Sequence, residues 1–260
     1  MKTLTGRSMF VWRLSPVVKA ELGAAAMANK AKAAGLTSVW IKVADGKSEF
    51  ENVRGAKRAE FLSVRDALRE QGIDVWGWHV PYGASVANAR AEADLCVRLA
   101  SDLKLDGLLM DAEGGDGFFS GGVDVAVAYA EQLSKMLRDM GVGLAMCGND
   151  IPTNFPNYPF DSFVASANTN APQVYYGSSP SVQHRLGRAI TANRHVKAPF
   201  YPVGAAWIGE GGGCQSASAC AERAREFLRL VKEGSFPGCG FWHWMGAPAA
   251  FWEVLIDERG

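Results

Sequence analysis

Two carboxylates two residues apart, Asp111 and Glu113, have the spacing in this chain best suited to acid–base chemistry. They close a short apolar run, residues 108–110, that Asp106-Gly107 opens, and glycines 114, 115 and 117 follow at once. An apolar run of that length between turn residues reads as a buried parallel strand ending at a working surface. Alternate side chains of a strand share a face, so Asp111 and Glu113 point the same way. Two like charges on one face raise at least one pKa, which suits a proton donor. The plainer alternative is a surface turn in which both carboxylates are solvated.

A pair of acids at one strand end needs a scaffold. Strand patterns occur at residues 9–12, 38–43, 74–80, 107–112, 143–147, 173–176, 201–205 and 240–244. Helical periodicity fills the intervals at 16–34, 55–71, 85–104, 123–140, 181–196, 217–232 and 248–258. Ser15-Pro16 reads as a helix start, and Gly35, Gly72 and Gly141 as helix stops. Only 151–171 resists, because Pro152, Pro156 and Pro159 break any helix there. Eight strands alternating with seven helices over 260 residues predict a single α/β domain spanning 1–260. Its architecture is a (β/α)8 TIM barrel with an irregular segment replacing or shortening the fifth helix. An open doubly wound sheet needs fewer strands and favours a glycine fingerprint after the first, where this chain has Leu14-Ser15-Pro16.

Composition narrows the partners. Twenty-seven basic and 27 acidic residues give zero net charge and no basic stripe, which argues against nucleic acid and anionic membranes. No apolar run reaches the length of about 18 residues that a membrane helix needs. The apolar stretch after residues 1–7 is too short for a signal peptide, so synthesis in the cytoplasm is expected. Cys96, Cys147 and Cys239 sit in apolar patterns and read as buried thiols. Cys214 and Cys220 lie in a Gly/Ser-rich loop and can bridge under oxidising conditions.

In a barrel the site is built at the C-terminal strand ends. Those positions hold Trp12, Arg13, Lys42, Asp45, His79, Tyr82, Asp111, Glu113, Asn149, Asp150, Tyr175, Tyr176, Trp207, Trp242, His243 and Trp244. Aromatic faces stack on sugar rings, while amides, carboxylates, phenols and imidazoles bond hydroxyls. The set therefore predicts a carbohydrate cleft, with Asp111 and Glu113 catalytic. His79, Tyr82, Asn149, Asp150, Tyr175, Tyr176, Trp207, Trp242 and Trp244 are expected to bind substrate. Tyr175 and Tyr176 point to opposite faces, so one of them reaches the cleft. Lys42 and Asp45 can simply pair with each other. A metal on His79, His243 and Asp111 lacks any His-x-His or His-Glu-x-x-His support, and no cofactor is expected.

The stretch Asp106-Gly107-Leu108-Leu109-Met110-Asp111-Ala112-Glu113 resembles the fourth-strand signature of family 18 chitinases, Asp-Gly-x-Asp-x-Asp-x-Glu, departing at Leu109. Asp111-x-Glu113 with Gly77-Trp78-His79 also resembles family 25 lysozymes, although the first strand, Val11-Trp12-Arg13, lacks their Asp. Gln173-Val174-Tyr175-Tyr176 is similar to the chitinase Met-x-Tyr-Asp without its Asp, and Trp242 or Trp244 fits the strand-eight tryptophan of either family. The resemblance, which covers four strand ends, implies a divergent TIM-barrel glycoside hydrolase. It implies that Glu113 protonates the glycosidic oxygen while Asp111 orients an N-acetyl group that attacks the anomeric carbon, a substrate-assisted route. Without an acetamido group a second carboxylate must act, and Asp150, then Asp45, are the candidates. The expected substrate is a β-linked, N-acetylated glycan of peptidoglycan or chitin type, the former fitting a lysozyme-like phage endolysin released to the cell wall. A non-catalytic glycan-binding barrel and a metal-dependent hydrolase are the competing readings.

Overall fold

The computed structural model describes residues 2–258. The chain runs β1 (Gly6–Val11), α1 (Leu14–Ala20), α2 (Ala24–Ala33), β2 (Leu36–Asp45), β3 (Ser48–Glu49), α3 (Lys57–Glu70) and β4 (Asp74–Val80). It continues through α4 (Val86–Asp102), β5 (Gly107–Asp111), α5 (Val123–Asp139), β6 (Gly143–Asn149), α6 (Phe160–Val164) and β7 (Thr169–Gln173). The last third supplies α7 (Val182–Asn193), β8 (Val203–Ala205), α8 (Ala217–Glu233), β9 (Gly238–Trp242) and α9 (Ala249–Asp257). Eight parallel strands close through a β1–β2 pairing, and β3 is a two-residue antiparallel flap on the end of β2. This is the expected α/β TIM barrel.

Two local expectations are corrected, and the expected irregular segment is present. The helix expected over 16–34 is two helices, because Leu22 and Gly23 take left-handed backbone (φ 64° and 126°) and break it. The irregular segment after β6 contains a 3-10 turn (Pro152–Asn154) and only the five-residue α6. The strand expected at 173–176 lies earlier, at Thr169–Gln173, and contains Pro172. Neither its polar residues nor its proline gives a strand signal. Tertiary pairing with β6, from Ala145↔Thr169 to Asn149↔Gln173, imposes the extended backbone instead.

The barrel interior is layered. At the bottom Ser8 Oγ contacts Ser38 Oγ (2.7 Å) and Tyr201 Oη (2.6 Å), and Trp40 Nε1 donates to Ser38 Oγ (2.8 Å). Phe10, Trp40, Trp76, Leu109, Ala145, Ala171 and Val203 fill the middle. Two tryptophans fit there because neighbouring strands give them glycine: a Cβ on Gly107 would meet the Trp76 ring at 2.3 Å, and one on Gly240 the Trp40 ring at 2.9 Å. This aromatic plug makes the barrel a packed core with no through-channel, so chemistry is confined to its rim. Truncating either indole to alanine costs about 3–5 kcal/mol of stability. The other face of every strand packs against the helix layer.

Candidate active site

Above the plug, the inward positions of the strand tops bring together Lys42 (β2), Trp78 (β4), Asp111 (β5), Cys147 (β6), Gln173 (β7) and Trp242 (β9). Asp111 is the last residue of β5 and is 6% exposed. Glu113 stands two residues on, half-buried, on backbone fixed from three sides. Ala112 N–H donates to the Cys147 carbonyl (3.0 Å), Gly114 N–H to Asn149 Oδ1 (2.7 Å), and Phe119 N–H to the Glu113 carbonyl (3.2 Å). Gly114 is required there, since a Cβ would lie 2.7 Å from Phe155.

The Gln173 amide ties the pair together, donating to Asp111 Oδ1 (3.1 Å) and Glu113 Oε1 (3.2 Å). Burial, and after it the Glu113 charge, pushes the Asp111 carboxyl well above the usual range, against Lys42, the Cys147 thiol and the Gln173 amide. Burial raises Glu113 too, and the Gln173 hydrogen bond opposes it. Two acids that resist ionising together, with one amide across both, can hold a shared proton and hand it to a bound oxygen.

The walls are aromatic. Trp242 packs on Phe10 (5.3 Å) and Trp78 (5.7 Å), and Tyr175 meets Trp207 edge to face at 5.0 Å. Hydrogen bonds Val174 N to Pro172 O (3.0 Å) and Tyr175 N to Gln173 O (2.9 Å) curl the chain just past β7, where Tyr175 feels the charges of Asp111 and Glu113. Tyr158, from the proline-rich segment, donates to the Ala112 carbonyl (2.5 Å) and also lies within the field of both acids. Lys42 Nζ sits 2.7 Å from Asp45 Oδ2, 5.0 Å over Trp78 and 4.7 Å over Phe50. Tyr82, 39% exposed, stands beside Asp45, whose hydrogen bond is the main cause that pushes the phenol up to about 12.

Thus Asp111, Glu113, Tyr82, Tyr175, Trp207 and Trp242 gather at the rim. Asn149 is beside them, but its carbonyl oxygen holds the Gly114 N–H. Four expected substrate contacts are elsewhere. His79 points outward between β4 and the helices: Nε2 lies 2.9 Å from the Gly46 carbonyl, so it carries the proton, and Nδ1 accepts from Tyr129 Oη (2.7 Å). Burial holds its pKa at about 4, and the His79, His243 and Asp111 set is not assembled. Tyr176 is fully buried on Phe227, donating to the Ala205 carbonyl (3.2 Å). Trp244 lies in a 3-10 turn past β9, so strand alternation no longer applies, and its indole donates to Glu21 Oε1 (2.9 Å). Asp150 turns toward α7 and pairs with Arg185 (2.6 Å).

Gln173, Tyr158, Cys147 and Lys42 complete the site. Gln173 had a usable signal, sharing strand parity with Tyr175. Tyr158 had none, lying in a segment without periodicity.

The sequence matches no protein-family model and no curated protein sequence. Solved structures match along nearly the whole chain. A chitinase from Chromobacterium violaceum superposes at TM-score 0.65 with 12% identity, covering 97% of this chain and 98% of that one. A family 18 N-acetylglucosaminidase from Paenibacillus barengoltzii gives 0.66 and 12%, covering 98% and 99%. The spore cortex-lytic enzyme of Bacillus megaterium gives 0.65 and 11%, covering 98% and 74%. The TIM-barrel fold is the one these solved structures share. At such identity the likeness is divergent and speaks for the fold, and the residues above speak for the site. Among the described residues no helix is long and apolar enough to cross a membrane.

Proposed function

We propose that this barrel is a glycosidase that hydrolyses a β-linked glycan carrying an acetamido group, with Glu113 as proton donor. The observation that carries the reading is the buried Asp111–Glu113 pair bridged by Gln173, with every other candidate acid already engaged. Asp150 is committed to Arg185, and Asp45 to Lys42. A two-carboxylate displacement therefore lacks a free nucleophile or base, whereas a substrate-assisted route needs only one acid and one orienting carboxylate. Burial keeps the Glu113 carboxyl protonated to higher pH, which readies it to protonate the glycosidic oxygen. Asp111, on the same face, accepts from the acetamido N–H and steadies the charge that develops as the acetamido oxygen closes on the anomeric carbon. Tyr175, Trp207 and Trp242 provide aromatic walls for sugar rings. The fold shared with chitinases and N-acetylglucosaminidases supports the same class of substrate.

The test is cleavage of chitin oligomers and purified peptidoglycan, followed by mass spectrometry of the products. Wild type is expected to cut N-acetylated oligomers and to leave de-N-acetylated ones intact, and Glu113→Gln to cut neither. Equal cleavage of both oligomer sets would remove the acetamido group from the mechanism. Binding without cleavage would instead favour the glycan-binding barrel.

A further inference from the structure

The rim on the β1–β2 side has a character the catalytic side lacks. Trp12, immediately past β1, is 43% exposed, yet its backbone is firmly held. The buried Asn52 donates to the Trp12 carbonyl (2.8 Å) and the Lys42 carbonyl (2.9 Å), and accepts from Leu14 N–H (2.8 Å). All three bonds tie the ends of β1 and β2 together, so an exposed indole is presented on a rigid mount at the mouth. A guanidinium accompanies it: Arg13 lies 5.0 Å over the Trp12 ring.

Basic side chains converge here. Glu51 is the carboxylate at the centre, 2.7 Å from Lys57 and 3.5 Å from Arg13, and it also feels Arg54. Three cations thus act on Glu51, and the Arg13 side chain stays 60% exposed although its Nε lies 3.5 Å from that carboxylate. Arginine's planar fork suits carboxylate recognition. Both loops that build this patch follow barrel strands on the same end as Asp111 and Glu113, so the patch continues the proposed cleft.

We propose that Trp12, Arg13 and Arg54 form a binding site for a carboxylate-bearing part of the glycan, which makes the substrate an acidic glycan. The proposal rests on the glycosidase reading for its location. An indole stacks on a sugar face while the guanidinium beside it takes the acid, and the carboxylate belongs either to the sugar or to a peptide attached to it.

The experiment compares neutral N-acetylglucosamine oligomers with peptidoglycan oligomers of equal length, with and without their peptide stems. The quantity read is the ratio of KM for neutral oligomers to KM for acidic ones. In wild type it is expected to exceed one and to fall with added salt. Arg13→Gln/Arg54→Gln, at exposed positions with no expected change in Tm, should lower the ratio roughly three- to thirtyfold. Trp12→Ala should raise both KM values. Stem removal breaks the amide that masks the sugar's own lactyl carboxylate, so a preference that appears or grows on removal puts the acid on the sugar, and one lost with the stem puts it on the peptide. A ratio of one in wild type, or one unchanged in the double variant, would overturn the proposal. If wild type cuts neither set, the hydrolase reading fails separately, and titration calorimetry with the same oligomers decides this one by the ratio of Kd values.

Discussion

Asp111 at the end of β5 and Asp150 just beyond β6 are carboxylates on adjacent strands, 6% and 4% exposed. Their surroundings differ. Asp150 meets the Arg185 guanidinium at 2.6 Å, and the Asn193 amide donates to its backbone carbonyl at 2.8 Å. Asp111 has an amide, a thiol and a second acid as its near neighbours, with Lys42 engaged elsewhere. A buried charge with a cation beside it is a structural brace. Burial raises the pKa of both acids, but Asp111 faces a second acid where Asp150 faces a guanidinium, so the Asp111–Glu113 pair resists full ionisation and stays reactive. Burial alone did not distinguish them.

That contrast can be broken at either end. The largest effect is expected from Glu113→Gln, which removes the proton donor and should lower kcat by about 10²–10⁴-fold with folding unchanged, read from product formation and circular dichroism. Next is Arg185→Ala, which strands Asp150 and should cost about 2–4 kcal/mol in urea unfolding, the lower side reflecting the partial exposure of Arg185. If Arg185→Ala is silent, Asp150 is not braced as described.

Asp111→Asn should act with the opposite sign on stability. The folded-state pKa of Asp111 lies above its unfolded value, so between the two the native state binds more protons and stability falls as pH rises. The amide removes that penalty, so a gain in stability at neutral pH is expected, with a flatter Tm–pH profile and a large loss of kcat. Gln173→Ala is predicted to be milder. Without its hydrogen bonds both carboxyls rise further, so the acidic limb of the pH–rate profile should move to higher pH while folding survives. The smallest effect is assigned to Tyr176→Phe, about 0.5–1.5 kcal/mol from the unpaired Ala205 carbonyl, with KM unaltered. A raised KM there would return Tyr176 to the cleft.

Much of the site was readable before folding because strand alternation is local. A period of two anticipates the pairing of Asp111 with Glu113 and the divergence of Tyr175 from Tyr176, and both hold although Glu113, Tyr175 and Tyr176 lie just past the ends of β5 and β7. Where the chain left the strand the rule lapsed, as at Trp244, one residue past His243 in a turn. His79 illustrates a second limit. It obeys the alternation and points outward, but a histidine is polar, and only the partners Tyr129 and Gly46 show how the helix layer satisfies it. Gln173 was placed at a strand start because the residues before it carry no apolar run, whereas β6 pairing makes it a strand end.

The sequence by itself determined the alternation of strands and helices, hence the barrel, and the two acids sharing a face, because periodicity and spacing are properties of neighbouring residues. Only the tertiary structure decided which polar groups meet. That Gln173 spans both acids and that Arg185 neutralises Asp150 depends on contacts between residues 35 to 62 positions apart, whereas the Lys42–Asp45 pair, three residues apart, was legible in the sequence. Hydrogen bonds and ion pairs form between side chains that the closed barrel brings within about 3 Å, and their local patterns carry no record of that meeting.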